Sequence, residues 1–246
     1  MNVYITSDQH FLHQNIIKYC NRPFSVDLDG VIENAKLMYD RYNNTVKEDD
    51  VVLFLGDLAF LNSKNRDTFA EMFKTLPGHK LLIRGNHDSQ TDEYYKSIGF
   101  EVVTDHIILG RYMLCHYPLF KDIRFQFSSL EKRLKDLFVY YKCDTVIHGH
   151  IHEKDSPVGD NVHRLNVCVD YNNFNLIKFN KRIFVTFFKN YLKKLEENCD
   201  LSEDSEYSFR YSHEKLQSIT VRYPNLKDIP QVTRTKRESR NEKVVA

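Results

Sequence analysis

The chain of 246 residues is short of several things, and each shortage excludes a class. It has almost no net charge: 35 lysines and arginines meet 34 aspartates and glutamates. No global electrostatic pull on nucleic acid or a membrane follows from that. It has no long apolar run. Val51–Leu55 and Ile183–Phe188, the latter broken by Thr186, fall far below the ~20 residues a bilayer span requires. Its cysteines (Cys20, Cys115, Cys143, Cys168 and Cys199) are odd in number, scattered and free of any C-x-x-C pair. That reads as reduced thiols rather than a disulfide or zinc framework. The opening Met1-Asn2-Val3-Tyr4-Ile5-Thr6 lacks the basic and apolar regions of a secretion signal and enters a strand pattern at once. The expectation is a cytoplasmic protein with no membrane partner.

What is present can fold. With 41% hydrophobic residues the chain can bury a core, and its length suits one generous domain or one domain plus an extension. Short apolar runs at Val3–Ser7, Val51–Gly56, Leu81–Arg84, Tyr112–His116, Thr145–His148 and Leu165–Val169 read as buried strands. Between them, Val31, Ala35, Met38 and Tyr42 share one helix face, and Leu130, Leu134, Leu137 and Tyr141 share another. Strands alternating with helices predict an α/β layered fold.

Composition shifts late. Residues 1–179 carry 21 basic and 24 acidic side chains, whereas 180–246 carry 14 and 10. Asn180 is placed to cap a helix over about 180–197 that presents Phe184, Phe187, Phe188, Leu192 and Leu195. Glu196–Glu206 then holds six acids and no base, and the chain turns polar toward Arg234–Arg240. These changes place a compact domain at 1–198 and a polar extension at 199–246. The basic end reads as a solvated tail, with contact to nucleic acid as the sharper alternative.

The side chains able to hold metal gather at the C-terminal ends of the expected strands: Asp8 and His10, Asp57, Asn86-His87-Asp88, His116, and the triplet His148, His150, His152. Strand C-termini form the edge where α/β sheets bind ligands, so five segments converge on one rim. Each block alone could be a turn or a satisfied core histidine. The order D-x-H, G-D, G-N-H-D, H, G-H-x-H is far harder to dismiss.

In that order the blocks resemble the calcineurin-like metallophosphoesterase superfamily over about residues 1–180. The opening Ser7–Ile17 is similar to a small branch found in bacteria and phages, which implies host cytoplasm if the chain is phage-encoded. The resemblance implies a four-layer α/β/β/α sandwich of two mixed sheets, to which the composition adds a helical or irregular C-terminal extension. It assigns Asp8, His10, Asp57 and His152 to one divalent ion, and Asp57, Asn86, His116 and His150 to a second. His87 would act as general acid to the leaving oxygen or stabilise the transition state, with Asp88 orienting it or stabilising its charge. A donor set of oxygen and nitrogen without thiolate suits Mn2+ first, with Fe, Zn, Ni or Mg as alternatives.

The implied activity is dinuclear, metal-dependent hydrolysis of a small, nucleotide-like phosphodiester or phosphomonoester by in-line attack of a bridging hydroxide. A nuclease acting on DNA or RNA is the alternative, and a non-catalytic protein-binding module on the same fold stands behind both. Gly56-Asp57-Leu58-Ala59 lacks the Asp-Arg-Gly continuation of the Ser/Thr protein phosphatases, which disfavours that branch. Three positions stay open between two readings each. His13 could reach phosphate or lie idle at a helix start, Arg84 could contact phosphate or form a salt bridge, and His148 could be buried or support a ligand. Oligomeric state is not readable.

Overall fold

The computed structural model describes residues 1–120, 128–153, 162–196 and 210–211. In chain order the first half runs β1 (Val3–Thr6), α1 (Gln14–Tyr19), α2 (Leu28–Thr45), β2 (Val51–Phe54), α3 (Arg66–Lys74), β3 (His79–Ile83), α4 (Asp92–Ser97) and β4 (Phe100–Thr104). Then come β5 (His106–Leu109), β6 (Tyr112–Cys115), α5 (Ser128–Tyr140), β7 (Thr145–His148), β8 (His163–Asn166), β9 (Ile177–Lys178), α6 (Arg182–Glu196) and β10 (Arg210–Tyr211).

The strands form two mixed sheets, ordered β4-β3-β2-β1-β9 and β10-β5-β6-β7-β8. In the first, β1 to β4 are parallel and β9 runs against β1. In the second, β6, β7 and β8 are parallel while β5 opposes β6. Successive side chains on a strand point to opposite faces, and that alternation sorts the core. Val51 and Leu53 of β2 pack toward the second sheet with Ile107, Leu109, Leu114 and Ile147. Val52 and Phe54 pack outward on Met38 and Tyr42 of α2 and on Phe69 and Phe73 of α3. On the far side, Ile108, Met113 and Val146 meet Leu134, Leu137 and Phe138 of α5. The result is the expected α/β/β/α layering.

Three local features differ from the sequence expectation. First, β4, β5, β9 and β10 add strands that the apolar runs did not mark, and most β4 side chains are only partly buried. Second, β8 stops at Asn166, and Cys168 instead bridges Ser7, with the Val169 amide donating to the Ser7 carbonyl at 3.1 Å. That link joins the rims of the two sheets. Third, Asn180 does not cap α6. Its side-chain oxygen accepts from the Val3 amide at 2.9 Å and its amide donates to Asn2 at 3.0 Å. At the same end, Asp50 accepts from the amides of Asn2 and Lys47. The helix itself forms as expected, and Phe184, Phe187 and Phe188 plug the core between the sheets. The extension at 199–246 lies outside the described residues except for β10. Among the described residues no helix is long and apolar enough to cross a membrane.

Candidate metal centre

The strand ends of β1, β2, β3, β6 and β7 deliver their polar blocks to one rim, as parallel neighbours must. The chain turns sharply there. Asp8 (φ 61°), His10 (φ 48°), Asp57 (φ 54°) and His150 (φ 70°) all adopt the left-handed region. For a residue with a side chain this costs on the order of 1 kcal/mol, and it persists only where surroundings over-determine it. Here they do: the amides of Asp8 and His10 donate to the carbonyls of Gly56 and Asp57 at 2.9 and 3.0 Å. Close approach demands glycine twice. A Cβ on Gly85 would lie 2.2 Å from Asp57 Oδ1, and one on Gly149 would lie 2.2 Å from Asp8 Oδ2 and Ser7 Oγ.

Two groups of donor atoms meet in this rim. In one, Asn86 Oδ1 lies 3.1 Å from His116 Nε2 and 3.0 Å from His150 Nδ1. His116 Nε2 is also 3.1 Å from His150 Nδ1 and 3.4 Å from Asp57 Oδ2. His116 Nδ1 sits 2.7 Å from the Leu55 carbonyl, which can only accept, so Nδ1 carries the proton. In a neutral His116 the Nε2 lone pair therefore faces Asn86 Oδ1, Asp57 Oδ2 and His150 Nδ1, a cluster that a cation would satisfy. Without one, burial would lower the His116 pKa, but the Asp57 carboxylate outweighs it and pushes the value up to about 9.

In the other group, His152 Nε2 faces Asp8 Oδ1 at 3.8 Å, and the His10 ring packs against the His152 ring with centroids 5.2 Å apart. His10 Nε2 is buried without a hydrogen-bond partner, 3.5 Å from Asp57 Oδ2. Burial holds the His10 pKa well below the ordinary imidazole value, so the ring is neutral and its orphaned nitrogen is one a cation would satisfy. The same Asp57 oxygen thus lies about equally close to both groups. The expected donors Asp8, His10, Asp57, Asn86, His116, His150 and His152 are all brought together, and an orphaned imidazole beside shared carboxylate oxygen fits a pair of divalent cations.

The remaining expected positions divide. His87 is exposed at the mouth, with its amide donating to Asp57 Oδ1 at 2.8 Å and its ring 5.1 Å from that of His10. Asp88 departs from expectation: its carboxylate turns away to accept from the amides of Asp57, Leu58 and Gly85 at 2.8, 3.0 and 2.8 Å. Three backbone amides outbid one exposed imidazole for that carboxylate, so Asp88 braces the Asp57 loop. Arg84 pairs with Asp92 and donates to the carbonyls of Asp88 and Gln90, which is the salt-bridge reading. His148 is fully buried, with Nδ1 on the Gly149 carbonyl at 2.9 Å. His13 stacks face to face on the half-exposed ring of Phe60 at 4.8 Å, beside His10 and His87.

Two residues at the site escaped the sequence reading. Asp170 Oδ2 accepts from His152 Nδ1 at 2.7 Å, and Arg22 binds both oxygens of Asp170. Burial would raise the Asp170 pKa, but His152 and Arg22 hold it down at about 2. Asp170 carried a usable signal, since it follows a strand-like run just as Asp8 and Asp57 do. Arg22 carried none.

The family model for calcineurin-like phosphoesterases matches residues 1–154. Among curated proteins, an uncharacterised protein of Methanocaldococcus jannaschii is 46% identical over 117 residues, which is 47% of this chain and 58% of that protein. The chain thus spans a little over half of that relative's length. The Gene 66 protein of Mycobacterium phage L5 is 25% identical over 189 residues, 68% of this chain and 85% of its own. Among solved structures, a protein of unknown function from Aquifex aeolicus shares the fold with a TM-score of 0.58 at 23% identity, covering 79% of this chain and 98% of that one. With the layered sandwich and the rim of metal donors already in place, the match over most of the sequence means that this chain belongs to the calcineurin-like phosphoesterase family.

Proposed function

We propose that the chain is a hydrolase of small, nucleotide-like phosphate esters that works with two divalent cations. The observation that carries this reading is the Asp57 carboxylate, whose Oδ2 lies 3.5 Å from the orphaned His10 Nε2 and 3.4 Å from His116 Nε2. We assign Asp8, His10, Asp57 and His152 to one ion, and Asp57, Asn86, His116 and His150 to the other. Donors of oxygen and nitrogen without thiolate suit Mn2+, Fe, Zn or Ni. Such ions supply an activated water and neutralise phosphate charge.

The protein's own groups do the rest. Asp57 positions both donor sets and, through Oδ1, anchors the His87 amide. The exposed His87 ring then stands where it can pass a proton to a leaving oxygen. Asp88 keeps the Asp57 loop in its strained turn instead of steering His87. Phe60, stacked on His13 next to His87, offers a flat apolar face suited to a base. That favours a base-bearing ester over free phosphate. We place the working domain at residues 1–198 and its compartment in the cytoplasm.

The test is hydrolysis of a chromogenic phosphomonoester and its diester, then of nucleotides, cyclic nucleotides and short oligonucleotides, with Mn2+ and after chelation. Activity should vanish with chelator and return with Mn2+. Metal-replete protein that hydrolyses none of these would overturn the reading, and oligonucleotide cleavage alone would move it to a nuclease.

A further inference from the structure

Arg22 lies in Asn21-Arg22-Pro23-Phe24, between α1 and α2, with its side chain fully buried. A guanidinium has five N–H donors, and here every one finds an acceptor. Nε donates to Asp170 Oδ1 at 2.7 Å, and Nη2 donates to Asp170 Oδ2 at 2.8 Å and to the Asp8 carbonyl at 2.9 Å. Nη1 donates to the Gln9 carbonyl at 2.9 Å and to Asn34 Oδ1 at 3.4 Å. One side chain thus ties the backbone of the Asp8–His10 turn, where both residues are left-handed, to a carboxylate 148 positions away. That carboxylate accepts from His152 Nδ1 at 2.7 Å, so Nδ1 carries a proton and Nε2, turned toward Asp8 Oδ1 at 3.8 Å, is the nitrogen left to meet a cation.

We propose that Arg22 and Asp170 are positioning residues for one metal site only, fixing the turn that presents Asp8 and His10 and the tautomer in which His152 presents Nε2. The inference rests on the two-ion reading above. Its selectivity comes from the hydrogen-bond pattern. His116, in the other group, is oriented by the Leu55 carbonyl, and His150 meets Asp8 only through its backbone amide, its ring being turned toward Asn86 and His116. The described bonds of Arg22 and Asp170 reach none of Asn86, His116 and His150. Cys20, His152 and Asp170 also lie close enough together to suggest a third cation. Arg22 already occupies both Asp170 oxygens with its own positive charge, so that trio supports a neighbouring ligand and holds no ion.

The test uses the full chain and Zn2+ or Mn2+ as the probe. Asp170→Asn keeps the shape and one acceptor but removes the charge. Calorimetric metal titration of this variant should show one of two sites weakened by about tenfold to a hundredfold and the other unchanged. Arg22→Lys, which keeps the charge but loses the fork, should weaken the same site. Should either variant fail to fold, the Zn2+-loaded wild type gives a separate readout. Its nitrogen-15 histidine spectrum should show His152 bound through Nε2, with a slowly exchanging proton on Nδ1. Equal weakening of both sites, no weakening of either, or zinc on His152 Nδ1 would overturn the proposal while leaving the two-ion reading intact. Wild-type protein that takes up no metal would overturn both.

Discussion

Gly149→Ala isolates the close packing on which the rim depends. Gly149 does not have the left-handed backbone that favours glycine, so the added methyl acts by volume alone. It would arrive 2.2 Å from Asp8 Oδ2, 2.2 Å from Ser7 Oγ and 2.7 Å from Ser7 Cβ. Both neighbours are completely buried, and Ser7 Oγ is bonded to Asp8 Oδ2 at 2.5 Å, so neither can swing aside freely. Relief takes roughly 1 Å of movement, and the Asp8 carboxylate must share in it together with the His150 amide that donates to both its oxygens. Overpacking of this kind costs about 1–3 kcal/mol. For a chain of this size that corresponds to a fall in melting temperature of about 2–12 °C. On the two-ion reading proposed above, the same movement misplaces a metal donor and should lower turnover by about a hundredfold.

Gly99→Ala is the matched control. Its φ of +104° makes alanine strained, yet the new methyl meets only the end of the Lys80 side chain, at 3.3 Å and far from the rim. It should cost about 1 kcal/mol of stability and leave bound metal unchanged. Thermal melts, metal content by mass spectrometry and turnover, measured on both variants, separate the two effects. A Gly149→Ala protein with wild-type metal affinity and rate would refute the packing argument.

Three other outcomes follow from the geometry. Asp57→Asn removes the charge facing both His10 and His116, so metal content should fall and turnover should vanish, as read by elemental analysis and phosphate release. His87→Ala should slow turnover by about 10²–10⁴-fold while bound metal stays the same, and loss of metal would move His87 among the ligands. Phe188→Ala, at a fully buried position between the sheets, should cost about 3–5 kcal/mol in denaturant unfolding. A cost below 1 kcal/mol would mean that α6 contributes little to the core.

The rim was legible because its signal is local: a short buried strand followed at once by Asp, His or Asn, repeated along the chain. The layers were legible for a similar reason, since helix faces such as Val31, Ala35, Met38 and Tyr42 repeat at fixed spacing and are indeed buried. What escaped was decided by distant partners. Arg22 reads as a surface residue in an Arg-Pro turn, and only folding brings Asp170 to its guanidinium. Asp88 stands next to His87 in sequence, yet its carboxylate answers amides from the β2 end, 30 and 31 positions back. Asn180 has the composition of a helix cap, but an unpaired amide at the start of β1 took its oxygen first. In each case a buried charge or amide needed a partner, and adjacency along the chain could not say which.

The clasp of Asn2, Asp50 and Asn180 lies at the beginning of β1, the opposite pole from the rim. Four strand residues at about 3.3 Å each separate the two. A tether or fluorophore attached at residue 1 therefore sits at the pole away from the rim, where the Met1 ammonium lies 3.9 Å from Asp50. Immobilised that way, the protein can be offered candidate esters on a surface with its working face turned to solution.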